Sequence, residues 1–348
     1  MSAAHYDIAV IGAGPAGCMF ARNIGKDFSV FLLDRKRGEG RLSRKPCGGL
    51  LTRKSLSVLA EHGLRVPDSL LVYPQLKKVR TISLDTGRIR YYRRNYMNMD
   101  RRLFDAWMLS SVPDRVRVQT GSCRSVENDG GVFRIRYSLP DGTKRSVTCD
   151  HVVGADGADS IIRKTFFTRP SRSCIAIQQW FEENQQPGYA CIFDPDTSPF
   201  CSWSVSKNGI MIFGGAFETD GCRRAFETQK NKLAAYGYDF SSPVRAEACL
   251  MTVPQRLSDI CLGRDGVYLA GEAAGLISPS SFEGISYALR SGAALAKAFN
   301  SGSNVQARYD RACLPLRLAL LEKLCKRPFM YSPALRRMVM GSGLFSVR

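Results

Sequence analysis

Residues 6–17 read Tyr-Asp-Ile-Ala-Val-Ile-Gly-Ala-Gly-Pro-Ala-Gly. Tyr6–Ile11 is short, apolar and rich in β-branched residues, the pattern of a buried strand. It runs directly into Gly12-Ala13-Gly14-Pro15-Ala16-Gly17, and then into a helical repeat of small and apolar residues at Cys18, Ala21 and Ile24. This is G-x-G-x-x-G between a strand and a helix. Gly12 permits the tight turn, Gly14 lets the backbone approach a pyrophosphate, and Gly17 lets the helix pack against the strand. The start of the helix offers unpaired N–H groups and the positive end of its dipole to phosphate. A second strand, Phe28–Leu33, ends in Asp34, twenty residues after Gly14. There an acid takes the hydroxyls of an adenosine ribose. Arg35, next in the chain, joins the cofactor-binding set. The reading is a dinucleotide site.

Two later segments repeat the strand-to-helix turn without repeating the glycine fingerprint. Asp150–Arg163 reads DHVVGADGADSIIR, an apolar strand ending in Gly154-Ala155-Asp156-Gly157, with Asp159 or Ser160 placed to cap the next helix. Gly266–Gly292 reads GVYLAGEAAGLISPSSFEGISYALRSG, a strand, a Gly271-Glu272 turn, and a glycine-rich opening into an apolar helix.

These three motifs, in this order, resemble the FAD-dependent group that contains para-hydroxybenzoate hydroxylase and the geranylgeranyl reductases. Gly12–Gly17 matches its pyrophosphate loop, Gly154–Gly157 its DG motif, and Gly271-Glu272 with Pro279 and Glu283-Gly284-Ile285 its GD motif, with Glu272 where Asp is usual. Asp100–Asp105 matches D-R-x-x-F-D, in which the arginine, here Arg101, lies by the FAD. The match covers about residues 5–295. Lys45-Pro46-Cys47-Gly48-Gly49-Leu50 resembles the K-x-C-G-G segment of the reductase branch, where the cysteine lies beside the isoalloxazine. Trp203 falls at the tryptophan of that branch's Y-x-W-x-F-P motif, although Cys201, Val205 and Ser206 replace its neighbours. The same segment resembles the colicin-M-resistance-type oxidoreductases.

The resemblance implies an α/β fold: an FAD-binding Rossmann-like domain with an inserted antiparallel-sheet substrate domain. It implies that Arg101 and the Gly12–Gly17 backbone face the phosphates, Asp34 the ribose and Glu272 the ribityl chain. Asp156 belongs to the cofactor site, the Cys123 backbone meets adenine, and the amides of Gly284 and Ile285 meet the flavin N1–C2=O edge. Cys47 and Trp203 become the candidate catalytic pair, with Cys47 and Gly48 in contact with FAD. The expected FAD-binding segments are 1–70, 97–165 and 255–300. The expected substrate domain is 71–96 and 166–254, followed by a basic helical segment, 301–348. Turn signals punctuate these segments: Asp85-Thr86-Gly87, Pro140-Asp141-Gly142, and Asn208-Gly209 between two alternating runs, which marks a hairpin.

Composition narrows the function. The 348 residues include 50 Lys+Arg and 31 Asp+Glu, a formal charge of +19. Such a chain suits an acidic partner. Nucleic acid is set aside because no recognition motif accompanies the charge. The twelve cysteines are scattered without a C-x-x-C pair and the three histidines lie far apart. Reduced thiols in a cytoplasmic protein are expected, with no metal. The N-terminus lacks a signal peptide's pattern. Residues 308–348 hold nine Lys/Arg and two acids, interleaved with Leu314, Leu318, Leu321 and Leu324. That interleaving suits the surface of an anionic membrane as a partner. A second short helix is expected at Ala334–Met340.

The expected activity is FAD-dependent oxidoreduction: hydride transfer from the reduced flavin to a C=C bond of an apolar, isoprenoid-like substrate, after reduction by NAD(P)H or another external donor. The absence of a second G-x-G-x-x-G means that any NAD(P)H visits the flavin transiently. The alternatives are a monooxygenase acting on an aromatic or polyketide, and a membrane-associated flavoprotein that carries electrons. The halogenase pattern W-x-W-x-I-P is absent from Ser202–Ser206.

Overall fold

The computed structural model describes residues 4–35, 46–168, 172–343 and 346–347. Lys45 and Arg44 of the cysteine segment lie outside the described residues. The chain divides into two compact units: 1–43, 102–172 and 252–322 form the first, and 44–101, 173–251 and 323–348 the second. Residues 44–70, placed with the cofactor domain from the sequence, group with the second unit. The cause is local pairing: Leu50 and Leu51 pair with Asn98 and Met97. The tail does not stand apart, since 301–322 groups with the first unit and 323–348 with the second.

The first unit is α/β. Its sheet has eight strands, and its central strands are parallel. Ala4–Ile11 lies between Val30–Asp34 and Lys144–Gly154, with Val10 opposite both Leu32 and Val153. Val267–Leu269 extends the parallel run beyond Val153. These strands read as nearly continuous apolar runs because helices cover both faces of a parallel sheet. Ile8, Val10, Leu32 and Val153 are fully buried. Lys144–Gly154 does double duty: it also pairs antiparallel with Val132–Ser138, which pairs with Ser122–Asp129.

The second unit carries a nine-stranded, mostly antiparallel sheet. Asn208 and Gly209 both take positive φ, 51° and 81°, as a tight hairpin between Cys201–Lys207 and Ile210–Phe217 requires. One sheet face buries Phe181, Ile192, Phe213 and Phe217 against Phe226 and Leu233 of helix Cys222–Ala234. The other face carries, by register, Gln178, Gly214, Trp203, Cys191 and Thr81. The terminal helices are Leu314–Tyr331, which continues through Pro328, and Pro333–Ser342.

Candidate functional site

In the first unit the glycine loop has a distinct job for each glycine. Gly12 has φ +101°, and a Cβ there would stand 2.5 Å from the Ala155 carbonyl oxygen. A Cβ on Gly17 would run into the Gly12 carbonyl. A Cβ on Gly14 would meet nothing within 4 Å, so this glycine faces open space. Pro15 opens helix Pro15–Asn23, whose first turn no side chain caps. Ala13 and Ala16 are buried. Asp34 ends its strand half-buried and accepts from the Ala13 N–H at 3.4 Å. Arg35 is exposed beside it.

The second motif surrounds a buried carboxyl. Asp156 Oδ2 accepts from the Ile161 N–H at 2.7 Å, while Ser160 Oγ caps the same short helix through the Arg163 N–H. Asp156 Oδ1 is buried with no protein partner. Burial raises the Asp156 pKa against those hydrogen bonds. Cys123 feels the Asp156 charge, and burial first, then that charge, pushes its thiol up to about 12. Its sulfur is therefore protonated at neutral pH.

The third motif is braced by a residue that sequence reading passed over. Arg163 donates to the carbonyls of Ala273 at 3.1 Å and Asp259 at 2.6 Å. This tethers the Gly271–Ala274 turn to the helix that Asp156 caps. An arginine directly after the apolar pair Ile161-Ile162 was the available signal. Gly271 has φ +59°, and Glu272 Oε1 accepts from the Thr252 N–H at 3.0 Å. A carboxylate has about four acceptor positions, so this bond leaves acceptor capacity. Gly284 precedes helix Ile285–Asn300. Glu283 was also missed as an actor: its two oxygens accept from the Ser286 N–H and hydroxyl, each at 2.8 Å. One of the opening amides is thus already used by an anion.

The second unit builds a cluster around Cys47. Its sulfur accepts from Arg101 Nη1 at 3.3 Å and from the Gly49 N–H at 3.4 Å. Arg101, expected to face phosphates, is thus engaged with the thiol. A guanidinium carries five N–H donors, so this contact does not exhaust it. Lys207 clamps the loop from behind, donating to Asn98 Oδ1 at 2.5 Å, the Met99 carbonyl at 2.7 Å and the Gly49 carbonyl at 3.3 Å. Gly49 needs φ +62°, and a Cβ on Gly48 would rest 3.6 Å from Val205. Strand alternation puts Trp203, Val205 and Lys207 on one face, the face that carries the cysteine loop. Trp203 Nε1 donates to Gln178 Oε1 at 3.2 Å, and its indole lies over Gly214, where a Cβ would stand 2.8 Å from the ring.

Burial lowers the Lys207 ammonium to about 8, against the opposing pull of Cys47 and Asp100. The ordinary lysine value is about 10.4. Between those values the unfolded chain binds more protons at this site than the folded chain, so folding stability gains from this group as pH rises from 8 towards 10. Denaturant titrations of wild type and Lys207→Met at pH 7 and pH 9.5 check this. Wild type should gain on the variant at the higher pH; a constant difference would refute it.

Residues 5–212 match the model of the FAD binding domain family. The chain belongs to that family. It is 38% identical over 345 residues to Protein CbrA of Escherichia coli O157:H7, covering 98% of this chain and 97% of the relative. It is 39% identical to Protein CbrA of Shigella flexneri serotype 5b, covering 98% and 94%. A geranylgeranyl bacteriochlorophyll reductase-like protein from Thermoplasma acidophilum superposes with TM-score 0.78 at 18% identity, covering 94% of this chain and 88% of that one. PqsL from Pseudomonas aeruginosa, a probable FAD-dependent monooxygenase, superposes with TM-score 0.70 at 17% identity, covering 97% and 99%. The fold is therefore shared by reductase-like and monooxygenase proteins.

The residues present fit FAD. Gly14 leaves room for phosphate, the helix behind it has an uncapped first turn, and the buried Asp156 Oδ1 awaits a donor. The family makes the chain an FAD-dependent oxidoreductase. Among the described residues no helix is long and apolar enough to cross a membrane, and no group of three His, Cys, Asp or Glu could hold a metal.

Proposed function

We propose that this protein saturates C=C bonds of an apolar, isoprenoid-like substrate. Bound FAD supplies the hydride, received from an external donor such as NAD(P)H. Gly12–Gly17, Asp34 and Asp156 hold the cofactor's phosphate and adenosine end, and Glu272 with the Gly284-Ile285 opening holds the ribityl and flavin end. Saturating a double bond takes a hydride on one carbon and a proton on the other, and the chain must provide the proton.

The observation that carries this reading is the setting of Cys47. Arg101 and the Gly49 N–H both donate to its sulfur. A thiol that accepts two hydrogen bonds keeps its own S–H free to donate elsewhere. The guanidinium that donates to the sulfur also faces the negative charge left there once the proton departs. Trp203, held by Gln178 over Gly214, supplies an aromatic wall on the same sheet face. Lys207 holds the loop in place.

The test is direct. The FAD-loaded protein is reduced anaerobically with dithionite and mixed with prenyl lipids. Reoxidation of the flavin, with a mass gain of two hydrogens per bond, supports the proposal. No reoxidation by any prenyl lipid, with NAD(P)H oxidation coupled to oxygen and stimulated by an aromatic substrate, would replace it with monooxygenation.

A further inference from the structure

Helix Leu314–Tyr331 has two apolar faces. Cys313, just before it, with Leu316 and Leu320, is buried in the protein. Leu314, Leu318, Leu321, Cys325 and Phe329 point the other way, and all five are exposed. Leu318 is 66% exposed, Leu314 50% and Phe329 49%. Their spacings of four, three, four and four residues keep them in one stripe at 3.6 residues per turn. A helix normally turns its polar side to water. Here the outward side is the apolar one.

The rim of the stripe is basic. Partly exposed Arg317 flanks it on one side and exposed Lys326 on the other, and exposed Arg311 stands near the end of the preceding helix Val305–Ala312. Glu322, on the Lys326 side, is the acid within the helix, whereas Lys323 and Arg327 fall on the side away from the stripe. Arg317 lies 3.8 Å from Asp310. We infer that this outward face of Leu314–Tyr331 docks on an anionic lipid bilayer, with the leucines and Phe329 in the acyl boundary and the Lys/Arg heads at the phosphates. The inference stands independently of the substrate reading. Two arguments select the occupant. A stripe one side chain wide suits shallow insertion in the interface, and long basic side chains can lay their stems along the apolar boundary while their charges reach the headgroups. A second copy of this chain, docked by two-fold symmetry, would bring the same basic rim against itself. A bilayer surface carrying negative charge matches that rim.

The FAD-loaded full chain is floated with vesicles of phosphatidylcholine alone and of phosphatidylcholine with phosphatidylglycerol. It should rise with the second and stay behind with the first. Leu318→Glu with Phe329→Ser should cut the floated fraction at least about tenfold, with unchanged flavin content and melting temperature. Arg311→Gln with Lys326→Gln should weaken flotation and make it less sensitive to salt. No flotation with phosphatidylglycerol vesicles, or flotation undiminished in Leu318→Glu/Phe329→Ser, overturns the inference. So does a wild-type dimer, seen by light scattering and dispersed by that variant, in a protein that does not float.

Discussion

Cys47→Ala is expected to lower turnover on a prenyl substrate by at least ~100-fold, the usual contribution of a positioned general acid. FAD content and the rate of its reduction by dithionite should stay near wild type, because the cofactor-holding glycines and Asp34 belong to other segments of the chain. Cys47→Ser should recover part of the loss, since a hydroxyl keeps one donor in the same place. Arg101→Lys should then separate two roles of the arginine. It keeps the positive charge but offers a point ammonium where a planar fork now reaches the sulfur. If Cys47→Ala turned over within a factor of about two of wild type, the thiol would be a packing residue and the proton would come from elsewhere.

Arg336→Met is expected to destabilise the second unit by about 3 kcal/mol, the lower end of the range for removing one partner of a buried ion pair. Arg336 is 4% exposed. Its guanidinium donates to Asp85 Oδ1 at 3.1 Å, Ser83 Oγ at 3.1 Å and the Met330 carbonyl at 3.1 Å, and lies 5.0 Å from the Phe193 ring centre. Methionine would fill much of the volume and satisfy none of those groups. Burial works to raise the Asp85 pKa, but hydrogen bonds from Ser83 and Arg336 outweigh it and hold the carboxyl below its usual range. A carboxyl depressed in the folded state stabilises above its unfolded pKa and loses that contribution as pH falls through its folded value. The deficit of Arg336→Met should therefore be full near neutral pH and shrink in acid. Chemical denaturation at pH 7 and pH 3 reads it. An equal deficit at both would mean that Arg336 matters through packing on Phe193 and the carbonyls alone.

That pair also shows where sequence reading stops. Asp85 and Arg336 are 251 residues apart, and neither neighbourhood carries a pattern that names the other. The same holds for Lys207 and Gly49. By contrast, Gly12–Gly17 was legible because a phosphate loop imposes residue types at fixed local spacing. Asn208-Gly209 was legible because only such residues take two successive positive φ angles cheaply. A cap at Asp159 or Ser160 was legible because a cap's partner is local; it is Ser160, whose partner, the Arg163 N–H, is three residues away. That 44–70 groups with the second unit was not legible, because it depends on Leu50 and Leu51 finding the strand Arg88–Asn98, a pairing two residues long that leaves little trace in hydrophobic alternation. Glu283 was read as one letter of a motif, yet its side chain takes the Ser286 amide, next to the Gly284 and Ile285 amides that the motif was meant to present.

Trp203 and Gly214 face each other across two strands, and the indole fills the space a side chain at 214 would need. The two positions therefore share a single allotment of volume. Growth at 214 must push the ring outward, and a smaller residue at 203 leaves a gap that a methyl group at 214 could fill. If Trp203 walls the substrate cavity, this pair is a calliper on its width. A coupled exchange such as Trp203→Phe with Gly214→Ala trades part of the indole's bulk for a methyl group at 214 and so resets the opening, while leaving the thiol, its guanidinium partner and the lysine clamp where they are.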